Sequence, residues 1–96
     1  MKKFVQAQLN WTLPENGGRK NILPVGMRYC PMIVFESEQS GDTLWSAELY
    51  NKQVNERISL ADLSYLSAEA PFHLLNKGNK FLLYEGQSVV AEGSVV

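Results

Sequence analysis

Few residues of this 96-residue chain have the types that nucleophilic catalysis requires. The chain has one cysteine, Cys30, and one histidine, His73. A single cysteine excludes an internal disulfide and a thiolate metal cluster, and a single histidine excludes a two-histidine metal site. Cys30 stands before Pro31 at the start of an apolar run, which predicts a buried and unreactive thiol. His73 lies between Phe72 and Leu74 and is expected to be a structural or surface histidine.

Acidic residues offer a second possible chemistry, because general acid–base catalysis often uses paired carboxylates. Glu36 and Glu38 stand at positions i and i+2 and would share one face of a strand. They lie where the strand runs into a polar loop, so a solvated rim is the favoured interpretation. Glu85 and Glu92 flank the last predicted hairpin and are interpreted in the same way. We expect no enzyme and no metal site from these residues.

The motif Gly17-Gly18-Arg19 is the most conspicuous short pattern in the chain. It does not match a phosphate-binding loop, which needs further glycines, a lysine and a long helix that follows. As an isolated motif it predicts a turn with an exposed arginine. We therefore expect no nucleotide and no other cofactor.

Composition restricts the remaining function classes. Hydrophobic residues make up 45% of the chain, and nine Lys and Arg against ten Asp and Glu give a net charge of −1. The pI of about 5.8 argues against a binder that holds nucleic acid by bulk positive charge. The length predicts a single domain over residues 1–96. Polar residues interrupt the N-terminal stretch, and no apolar run approaches about 20 residues, so we expect a cytoplasmic protein without a membrane segment.

Hydrophobic periodicity predicts an all-β fold. Apolar and polar side chains alternate from Val5 to Thr12, as in a strand with one buried face. Met32 to Phe35 predicts a buried central strand, and residues 40–42 predict a hairpin-like loop. Further extended segments are predicted at 22–25, 44–51, 72–75, 81–84 and 89–91. Strands at this spacing suggest a barrel or sandwich.

The stretch from Ser59 to Leu66 is ambiguous. Leucines recur every three residues, and Ser59 with Asp62 fits a capping box, so the pattern favours a helical turn. The neighbouring strand-like sequence favours a strand instead, and both alternatives remain open. The predicted core residues are Val5, Ala7, Leu9, Trp11, Ile33, Phe35, Leu49, Phe81, Leu83 and Val90.

The order of these motifs resembles the C-terminal β-barrel domain, the third domain, of elongation factor Tu. An alternating strand, the Gly17-Gly18-Arg19 turn, Gly26 and Pro31 before an apolar strand follow that family's order. Phe81 to Gly86, with the return strand from Val89, resembles the family's closing hairpin. The resemblance covers nearly the whole chain and implies a six-stranded, closed or nearly closed Greek-key barrel.

The chain departs from the family at several positions. Gly26 to Pro31 is two residues longer than the corresponding family motif, and Met32 stands where the family has a glutamine. Lys20 replaces a histidine, and the middle of the chain matches weakly. These 96 residues include neither a GTPase domain nor a second barrel, so we expect no elongation-factor activity from them.

The resemblance implies a non-catalytic binding module with two possible ligands. In the family this barrel contacts the T-stem of transfer RNA and also protein partners. Arg19, Lys20, Glu85 and Gly86 would inherit the RNA-contacting face, with Arg19 on a phosphate. The acidic pI and the loss of the glutamine at Met32 favour a protein partner, for example a translation factor or, by analogy, a toxin to be neutralised. RNA-backbone binding is the alternative.

Overall fold

The β-strands of this protein have alternating apolar side chains. A computed structural model describes residues 3–38 and 44–96. Seven strands and three single-turn 3-10 helices lie in those ranges. The strands are β1 (Val5–Trp11), β2 (Arg28–Tyr29), β3 (Met32–Phe35), β4 (Trp45–Asn55), β5 (Ile58–Tyr65), β6 (Lys80–Glu85) and β7 (Ser88–Val95). The 3-10 helices are Pro14–Asn16, Glu36–Glu38 and Phe72–Leu74. Each of these helices in the described part has three residues, too few to cross a membrane.

The strands close into a six-stranded antiparallel barrel. Their order is β2-β4-β3-β6-β7-β1-β5, and an additional pairing between β4 and β5 closes the ring. β6 returns to lie beside β3 after the consecutive strands β3, β4 and β5, which is the Greek-key arrangement. The fold class that the sequence predicts is therefore confirmed.

The seventh strand, β2, continues β3 along the same edge of β4. Tyr29 pairs with Leu49 and Met32 with Ser46, which is one unbroken register. The Pro31 carbonyl keeps that register by accepting a hydrogen bond from the Ala47 amide at 2.7 Å. Since proline has no amide hydrogen, it interrupts the ladder between the two segments.

Inward-facing side chains fill the barrel. Of the ten predicted core residues, nine are buried and Val5 is half-buried. A bulge in β7 adds one residue between the pairs Leu83–Ala91 and Tyr84–Val89. Val90 and Ala91 are consequently both buried.

The ambiguous stretch is a strand, β5, so of the two alternatives that its sequence leaves open the helical turn does not form. Ser59, Ala61, Leu63 and Tyr65 face inward with period two, and Leu60 is only half-buried. The small inward residues leave room for large side chains elsewhere in the barrel. Because Ser59 and Ala61 are not large apolar residues, the sequence of β5 does not show the alternation typical of a strand.

Two other predicted extended segments differ from the structure. Residues 22–25 form no strand, and the short strand lies at Arg28–Tyr29 instead. Phe72–Leu74 is a 3-10 turn and not a strand. It places two consecutive residues, Leu74 and Leu75, in the core, whereas a strand would bury only every second residue. The predicted loop at 40–42 lies outside the described residues.

Candidate binding site

The Gly17-Gly18-Arg19 turn has a structural reason for each glycine. The preceding 3-10 turn ends at Gly17, whose φ of 93° lies in the left-handed region that glycine adopts most easily. Gly18 lies against the backbone, so that a Cβ there would overlap the Thr12 carbonyl and approach the Leu13 oxygen to 2.9 Å. The two glycines therefore let the chain turn back tightly on β1 and direct Arg19 toward the barrel.

Arg19 forms an ion pair with Glu85, 66 positions away at the end of β6. The same carboxylate oxygen, Oε1, accepts a hydrogen bond from the hydroxyl of Tyr29. The Arg19 guanidinium also lies 5.2 Å from the centre of the Tyr29 ring, within cation–π range. The Asn16–Lys20 turn and the Glu85–Ser88 hairpin tip are therefore neighbours, as the resemblance implies for Arg19 and Glu85. We call Arg19, Tyr29 and Glu85 the Arg19 cluster.

The contacts of the Arg19 cluster stabilise its charged form. The hydrogen bond from Tyr29, followed by the contacts with Arg19, lowers the pKa of Glu85 against an opposing effect of desolvation. Glu85 in turn raises the pKa of Arg19. Burial, followed by the negative charge of Glu85, raises the pKa of Tyr29. The tyrosine therefore remains a neutral hydrogen-bond donor, and the cluster is a charged pair near neutral pH.

The other two predicted binding residues lie beside the cluster without joining it. Lys20 is exposed, and its side chain has no ion-pair partner in the described ranges. Gly86 has a φ of 60° at the tip of the hairpin between β6 and β7, and a Cβ there would meet nothing within 4 Å. The structure thus brings Arg19 to Glu85, with Lys20 and Gly86 as open neighbours.

A series of buried hydrogen bonds links β1, β5 and β4 to the segment that follows the Gly17-Gly18-Arg19 turn. The Trp11 indole donates to the Ser59 hydroxyl at 2.8 Å, and Ser59 donates to the Asn51 side-chain oxygen at 2.9 Å. The Asn51 amide then donates to the Leu23 carbonyl at 3.0 Å. These hydrogen bonds fix the long connection between β1 and β2 to the barrel wall.

Arg57 holds the same connection from the hairpin between β4 and β5. Its guanidinium donates to the Arg19 carbonyl at 2.9 Å and to the Thr12 carbonyl. Neither Arg57 nor the hydrogen bonds of Asn51 are predicted by the sequence pattern. Buried Asn and Ser within otherwise apolar strands are the only signal that could have pointed to them.

A second feature is an apolar surface on the outside of β3 and β6. Met32 pairs opposite Tyr84, and Val34 pairs opposite Leu82. All four side chains are half-buried and face away from the core. The residues next to them along β3 and β6 point into the core. They line an open groove of about 540 Å³ together with Glu36, Leu44 and Gly86. We call these four residues the outer apolar patch.

Other outer surfaces of the barrel differ from this patch. The outward residues of β1 are Gln6, Gln8 and Asn10, all polar and exposed. A smaller apolar group, Val54, Ile58 and Leu60, surrounds the tip of the hairpin between β4 and β5. The described outer surface therefore carries apolar groups that β-strand alternation does not account for, and the one over β3 and β6 lines the larger groove of the two.

The residues considered for catalysis lie apart. Cys30 is exposed, contrary to the predicted buried thiol, because it falls on the outward side of the strand continued by β3. His73 is exposed in its 3-10 turn. Glu36 is exposed, in agreement with the solvated rim expected there, and it begins the 3-10 turn Glu36–Glu38 in place of a strand. The described residues hold no group of three or more His, Cys, Asp or Glu side chains suited to a metal ion.

Comparison of the chain with protein-family models, curated proteins and solved structures finds no match.

Proposed function

We propose that this chain is a non-catalytic module that binds a protein partner through the outer apolar patch. The carrying observation is the pairing of Met32 with Tyr84 and of Val34 with Leu82 on a water-facing sheet surface. An antiparallel sheet with one solvated face usually places polar side chains there. A contiguous apolar surface at such a position is typical of a protein contact.

The resemblance to the third domain of elongation factor Tu suggests where such a module would act and which classes of partner it would bind. A module of that kind would act in the cytoplasm and bind a translation factor or one of its partners, or neutralise a toxin. The closed six-stranded barrel supports the proposal, since such a domain requires it. The contact between Arg19 and Glu85 adds support, because it joins the two turns that carry the resemblance.

RNA-backbone binding by Arg19, Lys20, Glu85 and Gly86 is the weaker alternative. A phosphate would have to displace the Glu85 carboxylate from Arg19. Other cations are also paired within the chain, since Arg28 contacts Glu48 at 3.1 Å and Lys52 contacts Asp62 at 3.9 Å. With nine Lys and Arg against ten Asp and Glu, the chain also lacks the net positive charge that usually accompanies RNA-backbone binding.

A capture experiment tests the protein-binding proposal. The wild-type chain, Leu82→Gln and Leu60→Gln are immobilised and exposed to cell lysate with and without nuclease. Leu60 is the matched control because it is a half-buried outward leucine on β5, three strands from β6 in either direction around the barrel. We expect the wild type and Leu60→Gln to retain the same protein after nuclease treatment, and Leu82→Gln to retain about tenfold less, as expected for loss of an apolar anchor.

Three results would contradict the proposal. Equal capture by all three variants would exclude the outer apolar patch, and loss in Leu60→Gln alone would place the contact at the hairpin between β4 and β5. Capture that disappears after nuclease treatment would favour the RNA alternative. Circular dichroism of each variant shows that the barrel remains folded.

The RNA alternative has its own test in the double variant Arg19→Ala with Lys20→Ala. We expect the wild type to bind structured RNA only weakly, and the double variant to change the salt dependence of that binding little. If Arg19 and Lys20 contacted phosphates, the slope of log K against log salt would fall by about one to two units, since each contact contributes about 0.7–0.9. The measurement is RNA affinity between 50 and 200 mM salt (about the usual range for such titrations), with Lys20→Ala alone as a control that keeps the Arg19–Glu85 pair.

A further inference from the structure

We infer that the partner of the outer apolar patch presents a short amphipathic helix with apolar residues on one face and basic residues beside them. This inference rests on the proposed function and specifies the partner. It follows from the strand edges, from the length of the patch and from the charges around it.

Strand edges restrict how a partner can dock. β6 is hydrogen-bonded to β3 on one side and to β7 on the other, and β3 lies between β4 and β6. A partner strand that added to the sheet would need a free edge, and the centre of the patch has none. The partner must therefore dock through side chains, across the face of the sheet.

The length of the groove fits a helix of about two and a half turns. Its lining runs from Leu82 to Gly86, a separation of four positions that spans about 13 Å along the strand direction. At a rise of 1.5 Å per residue, a helix of about nine residues covers that distance and presents three or four apolar side chains on one face. Among the described residues that line the groove, Leu44 is 66% exposed and Gly86 has no Cβ to obstruct a backbone.

Side-chain types in the patch suit this kind of contact. Tyr84 offers a rigid ring with a polar tip, of the type enriched at the centres of protein interfaces. Met32 is flexible and adapts its shape to a neighbouring surface. Val89, half-buried and paired opposite Tyr84 on β7, extends the apolar area by one position.

Charges around the patch favour a basic partner. Glu36 follows directly after β3, and Glu92 on β7 pairs opposite Leu82, and both are exposed. Lys80, at the start of β6, lies at the same end, so these three described side chains comprise two carboxylates and one ammonium group. At the other end, Arg19 already neutralises Glu85. A partner with lysine or arginine beside its apolar face complements this arrangement.

A display selection tests the inference with defined probes. A library of 14-residue (about four helical turns) helix-forming peptides, randomised at half of its positions, is selected on the wild-type chain and counter-selected on Leu82→Gln. We expect the enriched peptides to carry apolar residues at i, i+3, i+4 and i+7, with Lys and Arg enriched over Asp and Glu beside them. Their affinity should fall about tenfold or more in Leu82→Gln and remain unchanged in Leu60→Gln.

The charge component is measured separately on the enriched peptides. Glu36→Gln combined with Glu92→Gln should weaken binding by up to about fivefold per carboxylate, the range of an exposed ion pair. Lys80→Gln should leave the affinity unchanged or increase it. Enrichment of acidic peptides, of peptides without helical periodicity or of none at all would overturn the inference.

Two outcomes separate this inference from the proposed function. If lysate capture depends on Leu82 but the selected peptides are acidic or extended, the helix inference fails and the protein-binding function stands. If neither capture nor peptide binding depends on Leu82, the proposed function fails as well. Concentration-dependent dimerisation in sedimentation that Leu82→Gln abolishes would make a second copy the occupant and overturn the helix inference.

Discussion

Replacing Trp11 by alanine is expected to lower the free energy of unfolding by about 3–5 kcal/mol. The indole ring is only 4% exposed and lies 5.9 Å from the Tyr29 ring, measured between centroids. Its removal leaves a cavity at the end of β1 and deprives the Ser59 hydroxyl of the indole donor. A loss of this size is a large fraction of the 5–15 kcal/mol (about the usual total for a domain) that stabilises small proteins.

Urea unfolding monitored by circular dichroism measures this loss. The dependence of the unfolding free energy on urea concentration should be the same in both proteins, which shows that their stabilities can be compared as two-state values. Trp11→Phe serves as the control, because it keeps an aromatic ring in the core while it removes the indole donor and part of the ring volume. That variant should lose about 1–2 kcal/mol. A denaturation midpoint for Trp11→Ala equal to that of the wild type would mean that the ring is exposed in solution and available for a contact.

Replacing Gly18 by alanine is the second change with a large expected effect, a loss of about 3 kcal/mol. The added methyl group would overlap the Thr12 carbonyl, a backbone atom that cannot move aside as a flexible side chain can. Arg57 also donates to that carbonyl, so displacement of Thr12 would disturb a second contact. The turn would have to open, which would withdraw Arg19 from Glu85.

Gly86→Ala provides the matched control for Gly18→Ala. Its φ of 60° makes alanine unfavourable by about 1–2 kcal/mol, but the new Cβ would meet open space. The difference between the two variants in urea unfolding therefore isolates the crowding at Gly18. Equal losses in both variants would show that backbone conformation alone explains the Gly-Gly sequence of this turn.

Local patterns were sufficient where one face of a strand is apolar and the other polar. The alternation in β1 predicts its buried face correctly, and the turn at Gly86 separates two well-defined strands, β6 and β7. In both regions each residue's environment is set by strand geometry and by immediate neighbours. The all-β class and most of the core could therefore be predicted from these patterns, which left a barrel and a sandwich as alternatives.

The pattern was misleading where the barrel interior requires small residues. In β5 the inward side chains include Ser59 and Ala61, while Leu60 faces outward and is half-buried. The leucine spacing therefore suggests a helix that does not exist. Cys30 is a similar case, because its neighbours are apolar but its position in the alternation turns it toward solvent.

By itself, the sequence determined the class of fold, nine buried core residues and the glycine turn that precedes Arg19. Only the tertiary structure decided that Arg19, Tyr29 and Glu85 form one cluster, and that Met32, Val34, Leu82 and Tyr84 form one outer surface. The physical reason is register. Contacts between residues far apart in the chain depend on which strands pair and at which position, and a shift of one residue would turn these side chains to the opposite face.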